Sequence, residues 1–260
     1  MAGERAKAGR NDDVRAYWEL EACGTGAAIV GELPEGTTEW FERVEAHRYE
    51  LEPFIHSIAM FTQHRGHKVL EVGVGAGTDH LQWARAGAEC FGVDLTERAV
   101  ALTAQRLALY GFQSSLRRID AEILPFQDDY FDVVYSWGVI HHSSHPAAIV
   151  NEIRRVLKPG GKFLGMLYNR HSLVAYKLWV RHALLAGRPW RGLAEVVWHH
   201  MESQGTKAYT LAELHALFSG FRQRVLTPIV TPYDARRLPG WIAGWIPPRL
   251  GWFVGLQALK

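Results

Sequence analysis

Short apolar runs alternate with segments of helical periodicity from about residue 66 to residue 169. Apolar runs of this length predict buried strands, and apolar residues three and four apart predict amphipathic helices. The predicted strands cover residues 68–72, 89–95, 116–119, 131–136 and 162–167, with two later ones at 223–230 and 251–259. Strands that alternate with helices are typical of a parallel sheet covered by helices. The pattern therefore predicts an α/β fold.

Helix signals mark several of the segments between these strands. Thr78 and Thr96 stand where a side chain can cap a helix N-terminus, and Pro146 stands where the first turn of a helix tolerates proline. A later helix is predicted over residues 210–218. The chain divides accordingly into five parts, which are a disordered polar tail at 1–13, a helical cap at 14–65, the core at 66–169, an insertion at 170–209 and the rest of the sheet domain at 210–260.

Composition narrows the classes of protein. The 260 residues are 48% apolar and carry a net charge of +2, so the chain can bury a core and lacks the excess of positive charge that nucleic-acid binding needs. Two cysteines, Cys23 and Cys90, are too few for a disulfide framework, and we expect reduced thiols in a cytoplasmic protein. Neither a signal peptide nor an apolar run long enough to span a membrane is present in the sequence.

A glycine loop follows the first predicted strand. Gly73, Gly75 and Gly77 occupy every second position between the strand and the next helix, and Glu71 lies two residues before Gly73. Such a loop lets the backbone turn sharply and approach a ligand closely. A dinucleotide site wants G-x-G-x-x-G, but Thr78 stands at the third position. The spacing therefore argues against nicotinamide and flavin cofactors.

Carboxylates end the next two strands. Asp94 ends the second strand, where a carboxylate can accept both hydroxyls of a ribose, and Asp120 ends the third, where it can meet an adenine amino group. A phosphate would favour Lys or Arg in the glycine loop, and the loop contains neither. These features predict a ligand with ribose and adenine but without phosphate.

Residues 66–169 resemble the core of the class I S-adenosylmethionine-dependent methyltransferases, in the subgroup typified by ubiquinone and menaquinone biosynthesis methylases. The motifs that carry the resemblance are VLEVGVGAGTD, FGVDLTERAV, RIDAEILPF, FDVVYSWGVIHH and EIRRVLKPGGKF. The resemblance implies a Rossmann-like, seven-stranded, mostly parallel sheet with an antiparallel last strand and helices on both faces. It also implies S-adenosyl-L-methionine as cofactor and an insertion at 170–209 that covers the site and selects the methyl acceptor.

The resemblance also implies roles for particular residues. The three glycines would pass the methionine part of the cofactor, and Glu71 would orient the loop and reach the cofactor amino group through water. Asp94 and the adjoining Leu95 would hold the ribose. The remaining cofactor contacts would come from Asp120, Ala121, Ser136 and Trp137. Each of these carboxylates could instead be an ordinary solvated strand end.

Arg48 lies on an apolar helical stripe that includes Phe41, Val44 and Ile55. A buried cation needs an anionic partner. The cofactor carboxylate is one candidate, and a salt bridge to Glu45 or Glu52 is the other. Pro53 is expected to split this helix. Tyr17 and Trp18 could close the same lid or serve as core anchors.

His141 and His142 follow the fourth strand, where a methyl acceptor would approach. An imidazole there could accept a proton from the acceptor, or the pair could simply shape the pocket. His199 and His200 lack the spacing of a zinc helix, so we expect no metal.

The small-molecule methyltransferase hypothesis, with an apolar or aromatic acceptor, is favoured over a protein or nucleic-acid methyltransferase and over a non-catalytic cofactor binder. The apolar segment 241–253 could touch a membrane surface, but packing on the lid or at a homodimer contact is favoured. The chain is expected to be a monomer or a homodimer.

Overall fold

The computed structural model describes residues 2–236, 239, 241 and 244–260, with side chains from residue 11 onward. Within these residues one sheet has the strand order β3-β2-β1-β4-β5-β7-β6. The strands are β1 Lys68–Val72, β2 Glu89–Asp94, β3 Ser115–Arg118, β4 Phe131–Trp137, β5 Leu157–Tyr168, β6 Arg222–Ile229 and β7 Phe253–Leu259. Strands β1 to β5 are parallel, and β7 runs antiparallel between β5 and β6. The predicted Rossmann-like sheet with an antiparallel last strand is confirmed.

The α-helices are α1 Ala2–Leu20, α2 Ala27–Val30, α3 Thr38–Leu51, α4 Ile55–Ala59, α5 Thr78–Arg85, α6 Glu97–Leu109, α7 Pro146–Val156, α8 Leu173–Trp179, α9 Leu193–His200, α10 Leu211–Leu217 and α11 Pro232–Ala235. A 3-10 turn, Ile140–His142, follows β4, and a π-helical turn, Val180–Leu184, extends α8. The described part of the chain contains no helix with the length and apolar character needed to cross a bilayer.

The central strands are buried because both of their faces are covered. In β1, Val69 packs into one apolar cluster, whereas Leu70 and Val72 pack into the cluster on the other face. This alternation follows from the two-residue period of a strand. A strand covered on both sides must be apolar throughout, so β1 and β4 are readable as strands from their sequence alone.

Local capping sets where several helices begin. The Thr96 hydroxyl accepts a hydrogen bond from the Ala99 N–H at 3.3 Å, and Thr210 forms a capping box with Glu213. Pro146 is in the first turn of α7. The prediction that Thr78 caps α5 is wrong. Gly77 is the cap residue, because the positive φ of the glycine loop ends there.

Helix α1 replaces the tail predicted to be disordered at residues 1–13. Its backbone is helical from Ala2 to Leu20, and Val14 is buried. The carboxylate of Glu19 accepts hydrogen bonds from the Glu97 and Arg98 N–H groups, at 3.1 and 2.9 Å, and so caps α6. These partners are far away in sequence, so the polar composition of the segment did not reveal them.

The N-terminal helical cap breaks at Pro53, as predicted, into α3 and α4. Phe41, Val44 and Ile55 of its stripe are buried. The insertion predicted at 170–209 folds mainly as α8, the π-helical turn and α9. Trp241 and Trp245, in the segment considered for membrane contact, are 75% and 83% exposed.

Candidate active site

The glycine loop between β1 and α5 is packed underneath and open at its centre. All three glycines have positive φ, at 85° for Gly73, 54° for Gly75 and 71° for Gly77. A Cβ at Gly73 would lie 2.1 Å from Val139 Cγ2, and one at Gly77 would lie 3.0 Å from the Thr103 hydroxyl. At Gly75 a Cβ would meet no atom within 4 Å among the described residues. The loop therefore leaves room for a ligand at its middle glycine.

Asp94 joins this loop to the end of β2. Its Oδ2 accepts from the Gly75 N–H at 3.2 Å, and its Oδ1 accepts from the Thr96 N–H and hydroxyl at 2.9 and 2.8 Å. A carboxylate can accept about four hydrogen bonds, so this one retains capacity for a ligand hydroxyl. Burial raises the pKa of Asp94, while these hydrogen bonds oppose the shift.

A pocket of about 560 Å³ lies at the ends of β2 and β3. One wall is formed by Leu95, Arg118, Ile119, Asp120 and Glu122, and α1 contributes Asn11, Asp12 and Arg15 opposite them. The structure thus brings Leu95 and Asp120 together at one sheet edge, as the sequence predicts. The buried Ala121 follows Asp120. The pocket is large enough for a nucleoside, and its walls carry the guanidinium groups of Arg15 and Arg118 beside the carboxylates of Asp12, Asp120 and Glu122.

Asn11 lies in the wall of this pocket and was not predicted as a site residue. Its Nδ2 donates to Asp120 Oδ2 and to Glu122 Oε1, both at 2.8 Å, and its Oδ1 accepts from the Ser144 N–H at 2.9 Å. Asn11 lies in the segment predicted to be disordered, and nothing local in the sequence marks it as a site residue.

Glu71 is buried beneath the glycine loop, and its predicted contact with the cofactor through water stays a prediction. It is only 3% exposed, and its Oε2 lies 2.9 Å from His80 Nδ1. His80 Nε2 lies 2.8 Å from Ser114 Oγ, whose hydroxyl donates to the Cys90 carbonyl. Burial raises the pKa of Glu71 and lowers that of His80 to about 4, so burial favours the neutral form of each group. The carboxyl supports the loop from inside the sheet rather than at its surface.

Arg48 also has a partner that the sequence analysis did not consider. Its Nε donates to Asp79 Oδ1 at 3.1 Å and its Nη2 donates to Asp79 Oδ2 at 2.5 Å. Tyr49 and Tyr135 donate to the same carboxylate at 2.9 and 2.8 Å. Although burial alone would raise it, the pKa of Asp79 is held below its ordinary value by Arg48 and these donors. Neither Glu45 nor Glu52 is the hydrogen-bonded partner of Arg48. Contact of Arg48 with the cofactor stays a prediction.

A second arginine holds the loop against α3. Arg106 is fully buried, with Nη1 donating to the Thr78 hydroxyl at 2.8 Å and Nη2 donating to Glu45 Oε2 at 2.5 Å. Its position inside α6 gives no sequence signal of this role.

Ser136 and Trp137 end β4. The Ser136 hydroxyl is buried and donates to the Val72 carbonyl at 3.1 Å, so this side chain links β4 to β1. The Trp137 indole N–H donates to Glu52 Oε2 at 2.7 Å. Burial raises the pKa of Glu52, against the opposing charge of Arg48.

His141 and His142 lie in the 3-10 turn that follows β4. The His141 ring packs on Tyr168 with centroids 3.9 Å apart, and its pKa lies well below the ordinary value because of burial. Trp18 of α1 contacts His142 edge-on at 5.4 Å between centroids. Glu202 joins them, with Oε2 lying 3.4 Å from His142 Nε2 and accepting from the Tyr168 hydroxyl at 3.1 Å.

Comparison with known proteins places this geometry in a family. Residues 70–165 match the family described as the methyltransferase domain. Over 99 residues the chain is 37% identical to the uncharacterized methyltransferase YcgJ of Bacillus subtilis, covering 38% of this chain and 39% of that protein. Over 122 residues it is 35% identical to a ubiquinone biosynthesis O-methyltransferase of Methylococcus capsulatus, covering 46% and 51% of the two chains. The chain thus matches about half or less of the length of these curated relatives.

The solved structure of the [4+2]-cyclase SpnF resembles the whole chain. The TM-score is 0.58 at 18% identity, and the match covers 96% of this chain and 93% of SpnF. At this identity the likeness concerns the fold alone. The match over 70–165, the strand order and the glycine loop agree with each other and with the sequence prediction. Residues 70–165 therefore match the methyltransferase-domain family and lie within a Rossmann-like sheet, in agreement with the resemblance seen in the sequence.

Proposed function

We propose that this protein transfers a methyl group from S-adenosylmethionine to a small-molecule acceptor of apolar or aromatic character. The observation that carries the proposal is the open space at Gly75, whose N–H donates to Asp94 Oδ2 at the end of β2, together with the 560 Å³ pocket that Leu95, the next residue, lines. S-adenosylmethionine supplies a methyl group on a sulfonium, which an oxygen, nitrogen, carbon or sulfur nucleophile can take up.

The residues divide the work by position. Asp94 offers its remaining acceptor capacity to the ribose hydroxyls, and Asp120 with Ala121 offers hydrogen-bonding groups to the adenine edge. The glycine loop keeps side chains out of the path of the methionine part. Because Glu71 and Arg48 are engaged with His80 and Asp79, we assign them to supporting the loop and α5 rather than to direct contact.

We place the methyl acceptor beside a cluster of aromatic side chains at the ends of β4 and β5. Phe54 contacts Trp137 at 6.1 Å, and Tyr168 stacks on Trp252 at 4.2 Å between centroids. Such walls exclude water and hold a flat apolar acceptor. Methyl transfer depends mainly on in-line positioning, which can supply roughly 7–11 kcal/mol, so a base at His141 or His142 would only assist. The net charge of +2 gives no support to a nucleic-acid acceptor.

A binding experiment tests the cofactor half of the proposal. Calorimetric titration with S-adenosylmethionine should give saturable binding, and Asp94→Ala should weaken it by about 10–100-fold, the value of hydrogen bonds to a charged group. Glu89→Ala is the matched control, because Glu89 is exposed at the opposite end of the same strand. Equal affinity in the wild type and Asp94→Ala would overturn the assignment of the pocket.

A turnover experiment tests the transfer itself. Formation of S-adenosylhomocysteine would be followed with a panel of hydroxylated and amino-substituted aromatic acceptors. Since SpnF, which has this fold, is a [4+2]-cyclase, binding of S-adenosylmethionine alone does not establish methyl transfer. Cofactor binding without turnover of any acceptor would favour a non-catalytic or non-methylating protein. The same proposal places the protein in the cytoplasm, where Cys23 and Cys90 stay reduced.

A further inference from the structure

The imidazole of His141 is fully buried and unsatisfied. Neither ring nitrogen has a hydrogen-bond partner among the residues that the structure describes. Buried polar groups almost always have a partner, and leaving one unmade costs about 1–3 kcal/mol. Stacking on Tyr168 accounts for the face of the ring but not for its nitrogens.

His142 presents a second unsatisfied nitrogen to the same place. The Thr206 hydroxyl donates its hydrogen to the Ser203 carbonyl at 2.7 Å, so toward His142 Nδ1, 3.1 Å away, it can only accept. Ser203 Oγ lies 2.9 Å from Nδ1 and can also accept, and with both hydroxyls as acceptors Nδ1 carries the proton. The lone pair of the neutral ring is then on Nε2, which is buried and lacks a hydrogen bond within the described residues.

That lone pair lies opposite a carboxylate. Glu202 Oε2 is 3.4 Å from His142 Nε2, and two electron-rich atoms at this distance repel unless a cation or a proton lies between them. One ligand atom from each of His141, His142 and Glu202 lies within 4.8 Å of the others. Small side-chain rotations would bring the three atoms to metal-binding distances.

We propose that His141, His142 and Glu202 bind one divalent transition-metal ion of the zinc class. Two imidazoles and one carboxylate suit zinc, whereas magnesium and calcium prefer oxygen ligands alone. Three protein ligands leave a position open. Tyr168 orients Glu202 through its hydroxyl, and Ser203 with Thr206 fixes the His142 tautomer, as outer groups do around metal-ligating residues.

This inference rests on the proposed function in one respect, which is the use of the open position. It would take an oxygen of the acceptor, such as a phenolic hydroxyl, and a cation there favours the ionised oxygen. His142 is then a ligand rather than a base. A metal was not expected because His199 and His200 lack zinc spacing. The sequence gives no sign that Glu202 lies beside a histidine pair sixty residues earlier.

The experiment uses the full chain, stripped with a chelator and titrated with Zn²⁺ alone and, separately, with Co²⁺ alone. We expect one ion per chain by calorimetry, and visible absorption from Co²⁺ with nitrogen and oxygen ligands. Glu202→Gln and His142→Ala should weaken binding by more than about 100-fold, and Tyr168→Phe by about 10-fold, as expected for a group that orients a ligand. His200→Ala is the control, because His200 and His182 form another histidine pair, with ring centroids 3.9 Å apart.

The contrary outcomes are equally definite. Absence of stoichiometric binding, binding that survives both Glu202→Gln and His142→Ala, or binding that is lost in His200→Ala would each overturn the proposal. Titration of the same metal-free samples with S-adenosylmethionine shows that the variants are folded. It also separates this outcome from a failure of the proposed function, because nucleoside binding does not require the ion.

Discussion

The guanidinium of Arg48 on α3 binds both carboxylate oxygens of Asp79, in the first turn of α5. Asp79 is 3% exposed, and it directly follows the residue that ends the glycine loop and begins α5. The N-terminal helical cap is thus fastened to the start of α5, directly after the glycine loop, by a buried ion pair. The same carboxylate is reached from β4 by the Tyr135 hydroxyl, so three elements meet on it.

Removing one partner of this pair should be more harmful than altering both. Arg48→Met would leave a buried charge with only the two tyrosine donors, and we expect a loss of about 3–5 kcal/mol in the free energy of unfolding. Arg48→Met combined with Asp79→Asn should be less destabilised than the single variant, because no unpaired charge remains. Urea denaturation of the wild type and both variants measures this. A loss below about 1 kcal/mol in Arg48→Met would show that the pair contributes little.

Alanine should have different main effects at two glycines of the loop, which are a loss of stability at Gly73 and a loss of cofactor binding at Gly75. Gly73→Ala would force a Cβ to within 2.1 Å of Val139 Cγ2 at a positive φ, and we expect a loss of at least about 2 kcal/mol of stability. Gly75→Ala meets open space, so it should lose only about 1–2 kcal/mol while binding S-adenosylmethionine at least about tenfold more weakly. Thermal unfolding and calorimetry separate the two effects.

A compensating change checks the steric explanation for Gly73. Val139→Ala removes the methyl group that Gly73→Ala would strike, so the double variant should regain part of the lost stability.

If Gly75→Ala binds the cofactor normally, the space at Gly75 is not where the ligand lies.

Asn11→Ala should loosen the roof of the nucleoside pocket. It removes the side chain that joins α1 to Asp120, Glu122 and Ser144. We expect faster hydrogen exchange in α1 and several-fold faster dissociation of S-adenosylmethionine, measured by stopped flow. Asp13→Ala, at an exposed position of the same helix outside the pocket wall, should leave both rates near the wild-type values. Equal effects of the two variants would contradict a specific role for Asn11.

Stability should fall as the pH drops from about 6.5 toward 4. Burial lowers the pKa of His64 to about 4, so below pH 6.5 the unfolded chain takes up a proton that the folded chain does not. His64→Leu should reduce the difference in unfolding free energy between pH 8 and pH 5 by roughly 1–2 kcal/mol. His215→Leu, at an exposed position on α10, is the control. An unchanged difference in His64→Leu would contradict the assignment.

The features predicted correctly from the sequence are those that neighbouring residues determine. The apolar run of β1 and the Thr96 cap are local signals, and both lie where predicted. Asp94 and Asp120 meet at one sheet edge because parallel strands place their carboxyl ends together.

What the sequence did not reveal depends on distant partners. Arg48 was correctly expected to need an anion, but Asp79 lies 31 residues away and reaches it only through the packing of α3 on α5. Glu71 was expected to orient the loop, but its contact with His80 was not foreseen because it arises only when α5 folds back on β1. Asn11 was placed in a disordered tail because its three partners come from the loops after β3 and β4.

Helix α1 contacts both the pocket at Asp120 and the histidine pair. Asn11 touches the pocket and Trp18 touches His142, and these two residues, seven positions apart, are separated by only about 10 Å along the helix. A displacement of α1 that withdraws Asn11 from Asp120 would therefore also shift Trp18 against His142, so the packing of that ring should depend on what occupies the pocket.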